Sequence, residues 1–400
     1  MAGGTPGIGT VPSSLPPGQI NFKRMRKRWW AFRPFDLLAR YWPSFGRRKG
    51  LLVVRIDGIG DLLMFLPALE HYSRVFGVPK DEITILGSHN WKSLAHSFLA
   101  GYRVKTFDEG RFDKNPLYRL KIGLWVRRQR FQKVSCDLFF RKAMVADTLV
   151  WMAAAPDVYM TQPWISPKTQ SEHAYYLGRH RYIETGAYPT HEIVRHYAYL
   201  SAIEGKPLPP APPRLPWPRG RSVVPAGQPY IVVHFGCNEP GRRWPFANFQ
   251  RLIGDLLDQG HRVVLTGSPK EADELKACPD LLARDNLINL VCRTTLDQAI
   301  DVIADAQAMV VNDTGPGHIA IALGVPTVMM QGGGHFGNFV PYPPEVCPPR
   351  ARFLYQPCDC YHCFYNCTRR KVDRTPFPCY VEIPYERVWN EVQDLLREER

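Results

Sequence analysis

Seven prolines fall within twelve residues: Pro207, Pro209, Pro210, Pro212, Pro213, Pro216 and Pro218. Such a stretch supports neither a helix nor the middle of a sheet, because each ring removes a backbone donor and fixes φ. It reads as a stiff linker over 207–229. The 400 residues are thereby divided into two comparable parts, each of ordinary domain size. Hydrophobic residues make up 45% of the chain, enough for each part to bury its own core.

Each part opens on an apolar strand. Residues 51–56 (Leu-Leu-Val-Val-Arg-Ile) run into Asp57-Gly58, and residues 61–76 follow with Leu62, Leu63, Leu66, Leu69, Tyr72 and Phe76 at helical spacing. Further strands are expected at 83–86, 103–107 and 137–140, and in the second part at 230–235, 262–266, 287–291, 308–312 and 327–331. Helical stretches alternate with them, and no internal repeat is visible. This alternation predicts an α/β fold of two doubly wound, Rossmann-like domains, 50–206 and 230–400. Ligands of such sheets bind beyond the carboxyl ends of the strands, so the strand-to-helix turns should carry the chemistry.

Four turns stand out. In the first, Gly58 and Gly60 let the backbone approach a ligand closely, and Asp61 falls where a helix should begin. Taken alone, Asp61 reads as an acid stabilising a helix start. The same position also suits a carboxylate that accepts a proton from a substrate hydroxyl. In the second, the strand at 230–235 enters a loop with Arg242 and Arg243 before Pro245. The arginine fork matches diphosphate oxygens, although a surface pair with acids is the plainer reading. In the third, Asp313, Thr314, Gly315, Pro316, Gly317 and His318 lead into an apolar helix whose free N–H groups make an anion site. In the fourth, Gly332, Gly333, Gly334 and Gly337 surround His335 and Phe336, marking a mobile or closely approached loop.

These turns, taken together with Leu66-Pro67-Ala68-Leu69 and Ala322-Leu323-Gly324-Val325-Pro326-Thr327, resemble the family 9 glycosyltransferases, the ADP-heptose:lipopolysaccharide heptosyltransferases and their relatives. The resemblance runs in order from about Leu51 to Leu396. It implies a GT-B-type fold of two facing domains, with the donor nucleotide held mainly by the second. It also implies metal-independent, inverting transfer of a sugar, heptose from ADP-heptose, to a lipopolysaccharide core or related glycan. By position, Asp61 matches the general base and Asp313 the acid that contacts the donor sugar. Thr314, Gly315 and His318 match the phosphate- and sugar-binding turn. Arg242 stands where the family usually has lysine, a departure that keeps the charge. The competing functions are a sugar-nucleotide-processing enzyme such as an epimerase, a heptosyltransferase-like protein modifier, and a non-catalytic binding module.

Two segments fall outside that pattern. Residues 1–49 join a Gly-, Pro- and Ser-rich opening, expected to be a loose tail, to a basic-aromatic stretch. Between 23 and 49 there are ten Lys or Arg and one acid, Asp36, in a chain of net charge +14. Phe22, Trp29, Trp30, Phe32, Phe35, Tyr41, Trp42 and Phe45 are interleaved with them. This composition suits an anionic membrane surface contacted through residues 22–49; a solvated basic face and, third, nucleic acid are the alternatives. Charges interrupt every apolar run long enough to span a bilayer or to form a signal peptide, so a cytoplasmic, peripheral location is expected. The second segment, 347–379, holds six of the ten cysteines. Cys358, Cys360, Cys363, Cys367 and Cys379 suit a structural zinc or iron, ahead of free thiols and disulfides. Some heptosyltransferase-like relatives are thought to hold iron there, and no cofactor is expected for catalysis.

Overall fold

A computed structural model describes residues 20–178 and 182–398. The loose tail expected at the start of the chain lies outside them, apart from Ile20. The chain forms two compact units that divide between Pro210 and Ala211, inside the proline-rich stretch.

The first unit holds a six-stranded sheet of β1 (Lys49–Arg55), β2 (Ile83–Ser88), β3 (Arg103–Phe107), β4 (Phe131–Cys136), β5 (Asp157–Thr161) and β6 (Tyr182–Ile183). Its order is β3-β2-β1-β4-β5-β6, with parallel pairing throughout. The second unit holds β7 (Tyr230–His234), β8 (Arg262–Leu265), β9 (Leu287–Asn289), β10 (Ala308–Asn312), β11 (Thr327–Met330) and β12 (Ala351–Leu354), also all parallel. Read from its far edge, its order is β9-β8-β7-β10-β11-β12. Both units therefore share one doubly wound topology, with the switch in strand order beside β1 and β7. No sequence repeat announces this duplication.

The strand expected at 137–140 is displaced. The strand is β4, over Phe131–Cys136, and Asp137 begins the loop beyond it. Asp137 is buried there in an ion pair with Arg55. The single helix expected over 61–76 is two, Ile59–Leu69 and Tyr72–Phe76. Helices close the sheet faces by their apolar stripes. In Phe246–Asp258 the buried residues are Phe249, Leu252, Ile253, Leu256 and Leu257, the spacing of one helical face.

The basic-aromatic stretch is largely structural on one side. Its helix Lys27–Tyr41 buries Trp29, Phe32, Asp36 and Ala39 in the first unit. Asp36 receives both prongs of the buried Arg119, Nε at 2.5 Å and Nη2 at 2.9 Å, and Arg119 also donates to Met144 O at 2.7 Å. Gly123 lets the backbones close, since a Cβ there would stand 2.8 Å from that of Ala39. Arg26 pairs with Glu172 and Arg28 with Asp113. The opposite side stays in solvent: Phe22, Trp30, Tyr41 and Phe45 are exposed.

Candidate functional site

In the first unit, β1 ends in the turn that starts helix Ile59–Leu69. Asp61 lies in the first turn of that helix, half-buried, and its Oδ2 accepts the Gly58 N–H at 3.1 Å. The carboxylate thus serves the helix start while staying at the carboxyl edge of the sheet. Behind it runs a charged network that sequence reasoning missed. Arg55 is buried on β1 and pairs with both Asp57 and Asp137, the latter at 2.9 Å. Tyr72 donates to Asp137 Oδ2 at 3.1 Å, and His196 Nδ1 lies 2.8 Å from the same atom. A signal was available: an arginine inside the run Leu-Leu-Val-Val-Arg-Ile must be buried, and a buried guanidinium requires acids.

Despite burial, His196 and Arg55 hold the Asp137 carboxyl well below the usual carboxylate range. Asp57 goes the other way. Burial, reinforced by the neighbouring Asp61 and opposed by Arg55, pushes it up to about 7. One oxygen, Oδ1, is shut off from solvent with no hydrogen-bond partner. An unfolded aspartate titrates near ~3.9. The folded state therefore favours the protonated form, and Asp57 contributes stability below that pH that is lost as pH rises through about 7. Asp57→Asn, neutral throughout, is expected to flatten the decline in melting temperature between pH 5 and 8 by several degrees. Parallel wild-type and variant curves would show that Asp57 is already ionised at the acid end.

In the second unit, the ends of β7, β10 and β11 meet. Asn312, last residue of β10, accepts the Trp244 N–H at 2.9 Å and donates to Phe235 O at 2.9 Å, fixing the arginine loop against the turn. Arg242 Nη2 lies 2.5 Å from Asp313 Oδ2 and 3.0 Å from Asp313 O, with its guanidinium over the Tyr365 ring. Arg242 Nε is buried without a partner. His318 Nε2 is 3.6 Å from Asp313 Oδ1, and His318 Nδ1 shares a hydrogen bond with the Tyr342 hydroxyl at 2.7 Å. Against burial, Arg242 and His318 keep Asp313 well below the usual carboxylate range. These residues surround the start of helix Gly315–Ala322, capped by Thr314 with no side-chain bond to the helix N–H groups. Gly317 packs against β10 and β11, where a Cβ would stand 2.4 Å from Met329 Cε. Arg243 turns away, pairing with Glu274 and donating to Phe235 O.

The triple glycine is a closely approached loop. Cβ atoms on Gly332, Gly333 and Gly334 would stand 2.1–2.4 Å from the rings of Tyr380, Tyr361 and Tyr365. His362 N–H and Phe364 N–H donate to Gly333 O and Gly334 O at 2.7 and 3.0 Å. His335 packs edge-on to Phe364 and Tyr365, and burial pushes it down to about 4, with Arg242 adding to the effect. Phe336 packs on Tyr355 and Tyr361. The Cys-rich segment is thereby seated beside Arg242 and Asp313 through Tyr365. Gly333→Ala is expected to cost about 1–3 kcal/mol, seen as a lower melting temperature and faster proteolysis within 347–379. An unchanged melting temperature would show that Tyr361 has room to retreat.

All ten cysteines are free thiols. Cys360, Cys363 and Cys367 lie close enough to Cys379 to oppose its ionisation. Cys358, which also lies near Cys379, donates to Glu382, 3.4 Å away. Among the described residues, no three His, Cys, Asp or Glu side chains converge as a metal-holding group.

Two doubly wound α/β units, with polar and charged turns at the carboxyl ends of β1, β7, β10 and β11, define a protein of the GT-B type. The family model for glycosyltransferase family 9 (heptosyltransferase) matches residues 150–367, and the chain belongs to that family. Lipopolysaccharide heptosyltransferase 1 of Pseudomonas aeruginosa is 25% identical over 369 residues, 86% of this chain and 98% of the relative. Lipooligosaccharide heptosyltransferase 2 of Haemophilus influenzae is 36% identical over 114 residues, which is 28% of this chain and only 30% of that protein's length. The fold matches the structure of the Escherichia coli ADP-heptose lps heptosyltransferase II at a TM-score of 0.63, with 21% identity over 88% of this chain and 99% of that one.

Proposed function

We propose that this chain is an inverting glycosyltransferase that moves heptose from ADP-heptose onto a lipopolysaccharide core or related glycan. The observation that carries the reading is the grouping of Arg242, Asp313 and His318 around the start of helix Gly315–Ala322. A guanidinium with one nitrogen still unpartnered, next to a helix start that carries no side-chain cap, suits a diphosphate. Asp313, held ionised, suits sugar or ribose hydroxyls. In the transfer, Asp61 takes the proton of the acceptor hydroxyl as that oxygen attacks the anomeric carbon from the face opposite the nucleotide. Arg242 and the helix start stabilise the charge growing on the departing diphosphate. The matched relatives are named as lipopolysaccharide and lipooligosaccharide heptosyltransferases, which favours heptose and such acceptors here.

The test is a donor screen that follows nucleotide release, with ADP-heptose beside UDP- and GDP-sugars. Turnover confined to a UDP- or GDP-hexose would overturn the heptose reading. Donor conversion without any acceptor would replace transfer by an epimerase-like reaction.

Two further parts belong to the proposal. The described residues contain no helix long and apolar enough to cross a membrane. The exposed Phe22, Trp30, Tyr41 and Phe45, with Lys23, Arg24 and Lys27, suit peripheral contact with an anionic cytoplasmic leaflet. Thiol chemistry at Cys358, Cys360, Cys363, Cys367 and Cys379 suits a structural zinc or iron, although among the described residues the side chains do not stand in a ligand arrangement. His362, Phe364 and Tyr365 hold left-handed backbone between these cysteines, a cost that a bound ion would help offset. No step of the transfer uses it. Elemental analysis of protein purified without added metal is expected to find about one ion per chain, and none would remove the metal from the proposal.

A further inference from the structure

The amino ends of the strands in the first unit lie on the sheet edge opposite Asp57 and Asp61. Arginines from three segments gather there. Arg40 is in the last turn of helix Lys27–Tyr41, Arg48 precedes β1, and Arg127 and Arg130 close helix Pro116–Gln129. The strand start fixes them together, since Lys49 N–H donates to Arg130 O at 3.1 Å. Arg48 donates to Phe131 O at 3.2 Å, and Arg130 reaches Ser44 O. Arg128 lies over the ring of Trp42.

What distinguishes Arg48, Arg127, Arg128 and Arg130, among the described residues, is that no acid pairs with them. Several other arginines of the unit have a carboxylate partner: Arg26 has Glu172, Arg28 has Asp113, Arg119 has Asp36 and Arg141 has Asp147. Among the described residues, Arg48, Arg127, Arg128 and Arg130 form no ion pair, and Arg127 Nε and Nη1 and Arg130 Nε are buried without a hydrogen-bond partner. Burial and the adjacent charges lower the proton affinity of Arg127, with Arg48, Arg130 and Arg40 all contributing. A helix C-terminus attracts cations, which accounts for a basic last turn. It does not account for Arg48, which lies outside both helices, or for donors enclosed with nothing to accept from them. Guanidinium forks in this state fit a multi-oxygen anion.

We propose that Arg48, Arg127 and Arg130 form a site for the phosphate of an anionic lipid headgroup, on the face by which the first unit rests on a membrane. The lipid is favoured because the same edge exposes apolar rings, Tyr41 at 65% and Phe45 at 90%, beside the half-buried Trp42. Rings at headgroup depth flanking a phosphate-binding cluster are the pattern of an interfacial anchor. The site rests on the membrane-contact part of the function proposed above. It adds to that segment the end of helix Pro116–Gln129, far along the chain, and it is separate from the donor turn.

The test uses the full chain with vesicles of phosphatidylcholine alone and of phosphatidylcholine mixed with phosphatidylglycerol. Arg48→Gln/Arg127→Gln is expected to weaken binding to the mixed vesicles about thirtyfold. Its melting temperature without lipid should be unchanged or raised, because like charges have been removed. Arg221→Gln/Arg293→Gln, equal in charge lost and placed in the second unit, should bind as wild type does. If the double variant does not fold, Arg48→Gln alone is expected to weaken binding about fivefold. Wild-type binding to mixed vesicles with no loss in the arginine variants would overturn the site and leave the membrane reading intact. No preference of the wild type for mixed vesicles would overturn both. Stabilisation by inorganic phosphate through these arginines, with no vesicle binding, would overturn the lipid assignment.

Discussion

Asp61→Asn is expected to reduce sugar transfer by about 10²–10⁴-fold while leaving the fold and donor affinity near wild type. The amide removes the base, but its oxygen still accepts the Gly58 N–H that Asp61 Oδ2 accepts at 3.1 Å. Asp61→Ala removes both, so its loss would mix catalysis with a weakened helix start of about 0.5–2 kcal/mol. The pair of variants separates the two readings of this residue. Activity retained in Asp61→Asn would assign the carboxylate to helix capping alone and send the search for a base elsewhere on the β1 turn.

Arg242→Ala is expected to destabilise the second unit by about 3–5 kcal/mol, because it leaves the buried Asp313 without its nearest cation. For a unit of this size, that corresponds to a melting temperature lower by about 6–20 °C. The pH dependence has a definite sign. Asp313 is held below its usual range, so its contribution is present above the unfolded carboxylate pKa and is lost as pH falls through the folded value. Losing Arg242 raises that folded value and moves the acid loss of stability to higher pH. Arg242→Ala/Asp313→Asn should recover most of the stability and none of the donor binding. Full recovery of ADP binding in the double variant would make Arg242 a structural partner of Asp313 only. An unchanged melting temperature in Arg242→Ala would mean that water or His318 already satisfies the carboxylate.

Much of the scaffold was legible in the chain. The runs that became β1, β7, β10 and β11 are apolar because each is buried on both faces of a parallel sheet, and burial on both faces leaves no alternation to misread. Strands with mixed faces were less legible. β4 carries Gln132 and Lys133, and the apolar run Leu138-Phe139-Phe140 beyond it looked more like a strand than the strand itself. β5, β6 and β12 are short and mixed, and went unseen.

The sequence by itself determined two α/β halves about a proline-rich joint, the turns that carry Asp61, Arg242, Asp313 and His318, and membership in an ordered motif family. These follow from local rules, in which periodicity, glycine and proline act over a few residues. Only the tertiary structure decided that Arg242 and Asp313 are partners and that Arg243 is not. It also decided that the triple glycine is a seat for Tyr361, Tyr365 and Tyr380, that Trp29 is core while its neighbour Trp30 is exposed, and that Arg48 meets Arg127 and Arg130 with no acid among them. Each of these depends on which distant side chain occupies the facing position. A charge or a glycine has one meaning in a local pattern and another once a partner from elsewhere in the chain has desolvated it, paired with it or packed against it.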